Sequence, residues 1–484
     1  MPQHKQPYCL EQLALKSLTD FMLKFGCHVI EMAHKPVEEE IWTSVRDFLH
    51  PGLPYSLANK LSTNLLDIIP KLEIEAESYL YSEVDTGRHM DVVKKFIEIS
   101  LEPCLLELKL TDCSDFVCEI LCGQLHRLTN LETLYIKAIH SKNRKITIRK
   151  ILQENIVRLK HLKTFTCEKI CTDEIIQVLA ENCKQLEHLN IIFSKHVTVQ
   201  SASAISRLQN LKHLNIWGTF FDIEACCFLL NVLSNLETFI SDQDKVVGNV
   251  TNVLKVKSLM TICESPDVLV NVCPHLADVT LHFVDCNLSK LALLPHLLKF
   301  SVSNCNFDDI EGILITKASK LMYLKLSEVR HVNLKIINSC ENLLSLEMLQ
   351  CSYQPQIAVV DSIHFQNLKN LTIWEFFSNE LEALISAYSR LKVINLRKVP
   401  IINDSILLSL VTKNKETLTD LSLKSCAYLN INTLKFVIDI CDNLNRIVYR
   451  NEDSEFDELS DLYILKLYID QNNLNVELTT GDIW

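Results

Sequence analysis

A leucine ladder of the form L-x-x-L-x-L limits this chain more than any other feature. It recurs every 21 to 31 residues from about position 105 to the C-terminus. Early copies are Leu105, Leu108, Leu110, then Leu131, Leu134, Ile136, then Leu162, Phe165, Cys167. Leu186, Leu189, Ile191 and Leu211, Leu214, Ile216 follow, and later copies start at Leu236, Leu276, Leu297, Leu321, Leu343, Leu368, Leu391, Leu418 and Leu444. A fixed period in this range is the signature of a solenoid, in which each unit buries its apolar face only against its neighbours. Strand side chains alternate, so the ladder residues point inward and the residues between them point outward. The expectation is an α/β solenoid, a right-handed horseshoe with a parallel concave sheet and helices on its convex side. It should hold about 13 or 14 repeats beginning near residue 100. The helical half of a repeat is legible in "DEIIQVLAENC", where Ile175, Ile176, Leu179 and Ala180 share one face.

Two intervals break the period. Forty residues separate Leu236 from Leu276, and a degenerate copy around Val256 and Leu259 divides them into two short units. The long step from Leu131 to Leu162 holds "HSKNRKITIRK", whose Lys142, Arg144, Lys145, Arg149 and Lys150 read as a solvated insertion loop. Near the end, Glu452, Asp453, Glu455, Asp457, Glu458 and Asp461 read as a solvated linker before the apolar "LYILKLYI", which is expected to cap the array.

Composition narrows the chemistry. The formal net charge of −12 argues against nonspecific binding to nucleic acid. Glycine is scarce at 8 residues, and neither G-x-G-x-x-G nor a P-loop motif occurs. No H-E-x-x-H or G-x-S-x-G is present, so no catalytic residue, metal or cofactor is assigned and the chain is not expected to be an enzyme. The start "MPQHKQPYCLEQLALK" does not read as a signal peptide, and no apolar run reaches about 18 residues. A cytoplasmic or nuclear location without membrane contact is therefore expected.

The 19 cysteines follow the repeat rather than clustering. Cys183, Cys273, Cys340 and Cys441 each lie three residues before a ladder start, and Cys113, Cys286, Cys305, Cys351 and Cys426 lie just after the strand. Spread one or two per repeat, they read as small buried hydrophobes rather than metal ligands. Cys118 with Cys122, and Cys167 with Cys171, fall four apart and are read the same way. The pattern resembles the cysteine-containing leucine-rich repeat common in F-box and related proteins, over about three quarters of the chain. That resemblance implies a leucine-rich repeat domain over 101–484 with a C-terminal cap.

Residues 1–100 lack the ladder and read as a helical region. In "CLEQLALKSLTDFMLKFG", Leu10, Leu13, Ala14, Leu18, Phe21, Met22 and Phe25 form one apolar stripe. In "LPYSLANKLSTNLL", Pro54 suits the first turn of a helix, and Leu57 and Leu61 lie one turn apart. Both segments could simply cap the open end of the solenoid, as such arrays require. Their order, followed by leucine-rich repeats, also resembles cullin-2 substrate receptors of the Zyg-11 kind. The resemblance implies an elongin-C-binding box at Leu10, Ala14 and Leu18, with Ala14 standing where that family usually has cysteine. It further implies a cullin-directed box at Leu53, Pro54, Leu57 and Leu61. An F-box begins with a similar helix, which would instead imply Skp1 and cullin-1. No tryptophan-bearing third helix of F-box type follows. Either resemblance implies substrate recognition in a cullin-RING ubiquitin ligase, with elongins B and C as partners in the first case. A scaffold unrelated to ubiquitin is the third possibility.

Outward strand positions are the candidate substrate contacts. They include Tyr135, His188, His213, Trp217, His282, Tyr323 and Trp374. Aromatic side chains displayed on a rigid surface are common anchors of protein recognition.

Overall fold

The computed structural model describes residues 9–33, 38–49, 52–79, 87–111, 113–137, 139–262, 264–352, 367–375, 388–426, 429–450 and 457–479. They form two compact units, Tyr8–Gln243 and Asp244–Trp484. Each unit contains parallel leucine-rich repeat strands.

The first unit opens with five helices: α1 (Leu10–Glu31), α2 (Glu39–Leu49), α3 (Tyr55–Leu66), α4 (Ile69–Ser78) and α5 (Gly87–Ser100). Their shared core includes Trp42 and Phe96, whose rings meet edge-on at 5.5 Å. Gly26 lets α1 approach α4 and α5. A Cβ there would sit 2.6 Å from a methyl of Leu72 and 2.9 Å from Phe96. The bundle is tied to the repeat that follows. The Asn59 side chain accepts from the Leu106 amide at 3.0 Å, and Arg127 donates to the carbonyls of Glu98 and Leu101, each at 3.0 Å. These helices therefore cover the first repeat, as a solenoid end requires.

Six strands follow: β1 (Glu107–Leu110), β2 (Thr133–Ile136), β3 (Thr164–Cys167), β4 (His188–Asn190), β5 (His213–Asn215) and β6 (Thr238–Ile240). They pair in parallel and in sequence, placing Leu108, Leu134, Phe165, Leu189, Leu214 and Phe239 in one row. Every member of that row is buried. In the second unit the strands are β7 (Ser258–Thr261), β8 (Asp278–His282), β9 (Lys299–Ser303), β10 (Tyr323–Ser327) and β11 (Ser345–Leu349). They continue as β12 (Asn370–Trp374), β13 (Val393–Arg397), β14 (Asp420–Lys424), β15 (Arg446–Arg450) and β16 (Glu477–Thr479). Their matching row begins at Leu259, Val279, Phe300 and Leu324 and ends at Leu421, Ile447 and Leu478. The degenerate copy in the 40-residue gap is a genuine repeat, since Val256 and Leu259 are both buried and Leu259 lies on β7.

Two backbone devices recur in the sheet. The residue after a strand often takes a left-handed conformation, as in Asn304, Glu328, Gln350, Glu375, Lys398 and Ser425. Its amide reaches the last carbonyl of the next strand. Examples are Glu328 to Leu349 at 2.8 Å and Lys398 to Lys424 at 2.8 Å. For residues other than glycine that conformation costs roughly 1–2 kcal/mol, about what one backbone hydrogen bond returns, so burial of the next residue tips the balance. That residue is often a buried cysteine, as at Cys305, Cys351 and Cys426. The second device is an asparagine just before the first ladder leucine. Asn210, Asn235, Asn342 and Asn443 each donate to a carbonyl of the preceding repeat.

On the helical side, α6 (Asp115–Gly123), α7 (Lys142–Asn155), α8 (Asp173–Asn182), α9 (Ala202–Ile205) and α10 (Ile223–Val232) separate the strands of the first unit. In α8, Ile175, Ile176, Leu179 and Ala180 are buried, matching the sequence pattern. The basic stretch expected to be a loop is instead α7, started by Ser141, whose side chain accepts from the Arg144 amide. Buried Ile148 and Leu152 hold one side of that helix to the core, which the high charge of the segment concealed. The described part of the expected acidic linker is also helical: Asp457–Gln471 is one helix, with Leu465 and Ile469 buried and β16 after it. Glu452, Asp453 and Glu455 lie outside the described residues.

Candidate interaction surfaces

The outward face of each sheet is set by the same alternation that buries the ladder. In the first unit one outward row runs Thr133, Thr164, His188, His213 and Thr238, and the next runs Tyr135, Thr166, Asn190, Asn215 and Ile240. His188 and His213 stack, and Tyr135 donates its hydroxyl proton to the Glu168 carboxylate. Asn215 accepts from the Trp217 amide at 3.1 Å, fixing the turn that presents the half-buried indole. Beside these rows, Glu132, Lys163, Glu187 and Lys212 alternate in charge on consecutive repeats. Lys163 pairs with Glu132 at 2.8 Å and Lys212 with Glu187 at 2.7 Å. Tyr135, His188, His213 and Trp217 are thus all half-buried on or beside one sheet face.

Among the described residues of the second unit, two shallow cavities lie on the sheet face. One, about 320 Å³, is lined by Asp278, His282, Lys299, Tyr323 and Lys325 among others. His282 Nδ1 lies 2.7 Å from the Ser303 hydroxyl, and the Tyr323 hydroxyl donates to Glu347 at 2.8 Å. Burial pushes the His282 pKa down and the Asp278 and Tyr323 pKa values up. Perturbed groups in a cavity invite a catalytic reading. Geometry opposes one here, because Asp278 and His282 are four residues apart on one extended strand, about 13 Å, beyond the reach of direct proton transfer. The other cavity, about 470 Å³, is lined by Trp374, Arg397, Asp420, Lys424 and Arg446. The Arg397 guanidinium lies over the Trp374 ring, 4.9 Å from its centroid. Of the expected contacts, His282 and Tyr323 share the first cavity and Trp374 lines the second. The cations around Trp374 were not singled out from sequence, although Arg397 and Lys424 continue its outward row and Arg446 faces outward at the other end of its strand.

The helical region presents a different surface. Cys9 caps α1 in a reciprocal arrangement with Gln12, its amide donating to the Gln12 side chain at 3.0 Å. Met22, Gly26, Val29 and Ile30 face the core, while Leu10 is 84% exposed, Leu13 and Phe21 are exposed, and so is Ala14. Leu18 is half-buried. Leu10, Ala14 and Phe21 recur at spacings that share one helix face. A 2.6 Å ion pair between Lys60 and Glu11 joins α3 to this end of α1. In the neighbouring segment Pro54 is exposed, Leu53 and Leu57 are half-buried, and Leu61 is buried in the helical core. Among the described residues no helix is long and apolar enough to cross a membrane.

No protein-family model and no curated protein sequence matches the chain. Among solved structures it is similar to an internalin of Listeria monocytogenes, at 17% identity over 71% of this chain and 96% of that one, with a TM-score of 0.37. It is also similar to internalin C2 of the same organism, at 16% identity over 45% and 82% of the two chains, with a TM-score of 0.27. A leucine-rich repeat protein of Leptospira interrogans shows 14% identity over 74% and 92%, with a TM-score of 0.32. The fold of this chain rests on its own strand order and register, which are those of a leucine-rich repeat solenoid whose parallel strands turn alternate side chains outward.

Proposed function

We propose that this chain is the substrate-recognition subunit of a cullin-RING ubiquitin ligase of the elongin B/C and cullin-2 type, acting in the cytoplasm or nucleus. Residues 1–100 form the docking region and residues 101–484 the recognition domain. The observation that carries this reading is Leu10. A helix that served only as a cap would turn its leucines toward the array, whereas α1 is capped and ordered with Leu10 84% exposed in its first turn. Leu13, Ala14 and Phe21 extend that exposed surface, and Leu18 lies at its margin. Such a patch costs solubility unless a partner covers it. Pro54, with Leu53 and Leu57, offers the neighbouring cullin contact, and buried Leu61 positions that helix. The outward residues Tyr135, His188, His213, Trp217, His282, Tyr323 and Trp374 hold the substrate protein.

The test is affinity purification with mass spectrometry on the wild type and on Leu10→Asp. Burying one leucine is worth about 1.5–3 kcal/mol, so the variant should lose adaptor binding by roughly ten-fold or more with an unchanged unfolding temperature. Elongins and cullin-2 recovered with the wild type and lost in the variant support the reading. Recovery of Skp1 and cullin-1 replaces it with the F-box type. Recovery of neither, or adaptor binding indifferent to Leu10→Asp, overturns it in favour of a scaffold.

A further inference from the structure

A second surface lies on the first unit, apart from the residues assigned above to the adaptor and bordering the substrate surface at Phe193, whose amide donates to the Trp217 carbonyl at 2.7 Å. Lys142, Lys145, Ile146 and Arg149 recur on α7 at spacings of three, one and three, which places them on one helix face. That face borders an open groove of about 620 Å³, whose other wall comes from the turns after β3 and β4. Lys169 enters from the first turn, and Phe193, Lys195 and His196 from the second. Among the described residues no carboxylate lines the groove. In a chain with 60 acidic and 48 basic residues, such a concentration of one sign is a local device rather than an average property.

The groove is held in shape. Arg149 Nε donates to the Ile170 carbonyl at 2.9 Å, fastening α7 to the first turn. Buried Ser194 joins the two turns, its hydroxyl donating to the Cys167 carbonyl and accepting from the Cys171 amide, each at 3.2 Å. Nearby acidic groups are already engaged: Glu168 accepts from Tyr135, and Asp173 accepts from Thr198 and Ser201. Phe193 sits in the left-handed region at φ 57° and is 45% exposed, close to Ile146, which is 66% exposed. Two exposed apolar side chains inside a ring of cations describe a composite target.

We propose that this groove docks an acidic protein segment carrying one apolar side chain flanked by carboxylates. The apolar side chain seats against Ile146 and Phe193. The carboxylates meet Lys142 and Lys145 on one side and Lys169 and Lys195 on the other, in a preformed site that needs little ordering on binding. Single-stranded nucleic acid fits less well. Its bases would stack on an open aromatic face, and the Lys169 ammonium already lies over the Phe193 ring, 6.0 Å from its centroid. The net charge of −12 also opposes a long polyanion beyond the groove.

The experiment pans a phage-displayed library of random 12-residue peptides on the full chain and, in parallel, on the Lys145→Glu/Lys195→Glu double variant. Enriched peptides are then synthesised and titrated by fluorescence anisotropy. The wild type should enrich segments with aspartate or glutamate on both sides of one aliphatic or aromatic residue. The double variant should bind those peptides roughly ten-fold or more weakly, and Phe193→Ser should bind them several-fold more weakly at an unchanged unfolding temperature. Raising salt should weaken the wild-type complex. If charge reversal upsets folding, Lys145→Gln/Lys195→Gln should show the same direction of effect. Enrichment without acidic residues, or equal enrichment on wild type and variant, overturns the proposal. So does tighter binding of a 20-nucleotide single-stranded RNA than of any selected peptide, lost in the same variant. None of these readouts involves an adaptor or a cullin, so the outcome is independent of the ligase reading.

Discussion

The imidazole rings of His188 and His213 lie parallel on adjacent strands, 7° apart in tilt, with 4.1 Å between centroids. Burial lowers the pKa of each below 6.5, and the charge of His188 adds to the effect on His213. Glu187 and Glu237 pull the other way, and Lys212 reinforces the lowering. A histidine with a depressed folded-state pKa binds fewer protons in the native than in the unfolded chain. Stability is therefore full above about pH 6.5 and is lost as pH falls from there through the folded value. Denaturant unfolding at pH 7.5 and pH 5.5 should show a smaller loss on acidification for His213→Asn than for the wild type. Equal losses would show that the stack carries no such linkage.

Gly218 faces Phe193 in the same way that Gly26 faces Leu72. Its φ of +71° suits glycine alone without cost, and a Cβ there would stand 2.5 Å from Phe193 Cδ1. Gly218→Ala should lower stability by about 1–3 kcal/mol, read by chemical unfolding, and should shift the fluorescence of nearby Trp217. A stability equal to wild type would mean that the turn relaxes freely.

The cysteines make a chemical prediction. Cys9 is exposed and Cys27 and Cys286 are half-buried, while the other described cysteines are buried and none forms a disulfide. Burial pushes the pKa of Cys183, Cys226 and Cys273 up to about 12, and that of Cys340, Cys351 and Cys426 up to about 11. Thiolate is the reactive form. Titration with a disulfide reagent at pH 8 should label Cys9 at once, Cys27 and Cys286 slowly, and these six only after guanidinium is added. Rapid labelling of Cys183 or Cys351 in the folded chain would contradict this packing.

The inward half of the fold was legible because it is periodic. Leu189, Leu214 and Leu324 are buried on consecutive parallel strands in their units, where the ladder puts them. The same regularity exposed the weak copy at Leu259. The outward half was only partly legible. Outward positions follow from alternation, but which of them gather into a cavity depends on neighbouring strands about 25 residues away in sequence. Trp374 was recognised as an aromatic, whereas Arg397, Lys424 and Arg446 gain meaning only beside it. The basic stretch at 142–150 misled in a different way. Its charge suggested a solvated loop, yet Ile148 and Leu152 sit one turn apart and suffice to anchor a helix. Nothing in the sequence marked Lys169 and Lys195 as its companions, because turns after separate strands meet only in the folded sheet.

The alternating charges at 132, 163, 187 and 212 carry a rule of parity, and Glu237 continues it at the next position, its amide bonded to the Lys212 carbonyl. Removing a single repeat between them, such as the one bearing Lys163, would set Glu132 beside Glu187. Each such pair is exposed and screened by solvent, so it contributes little, yet like charges directly opposite turn that gain into a penalty. Repeats could therefore be lost or duplicated from this stretch at least cost in twos, so its length is constrained to even steps by a surface feature that contributes little to holding it folded.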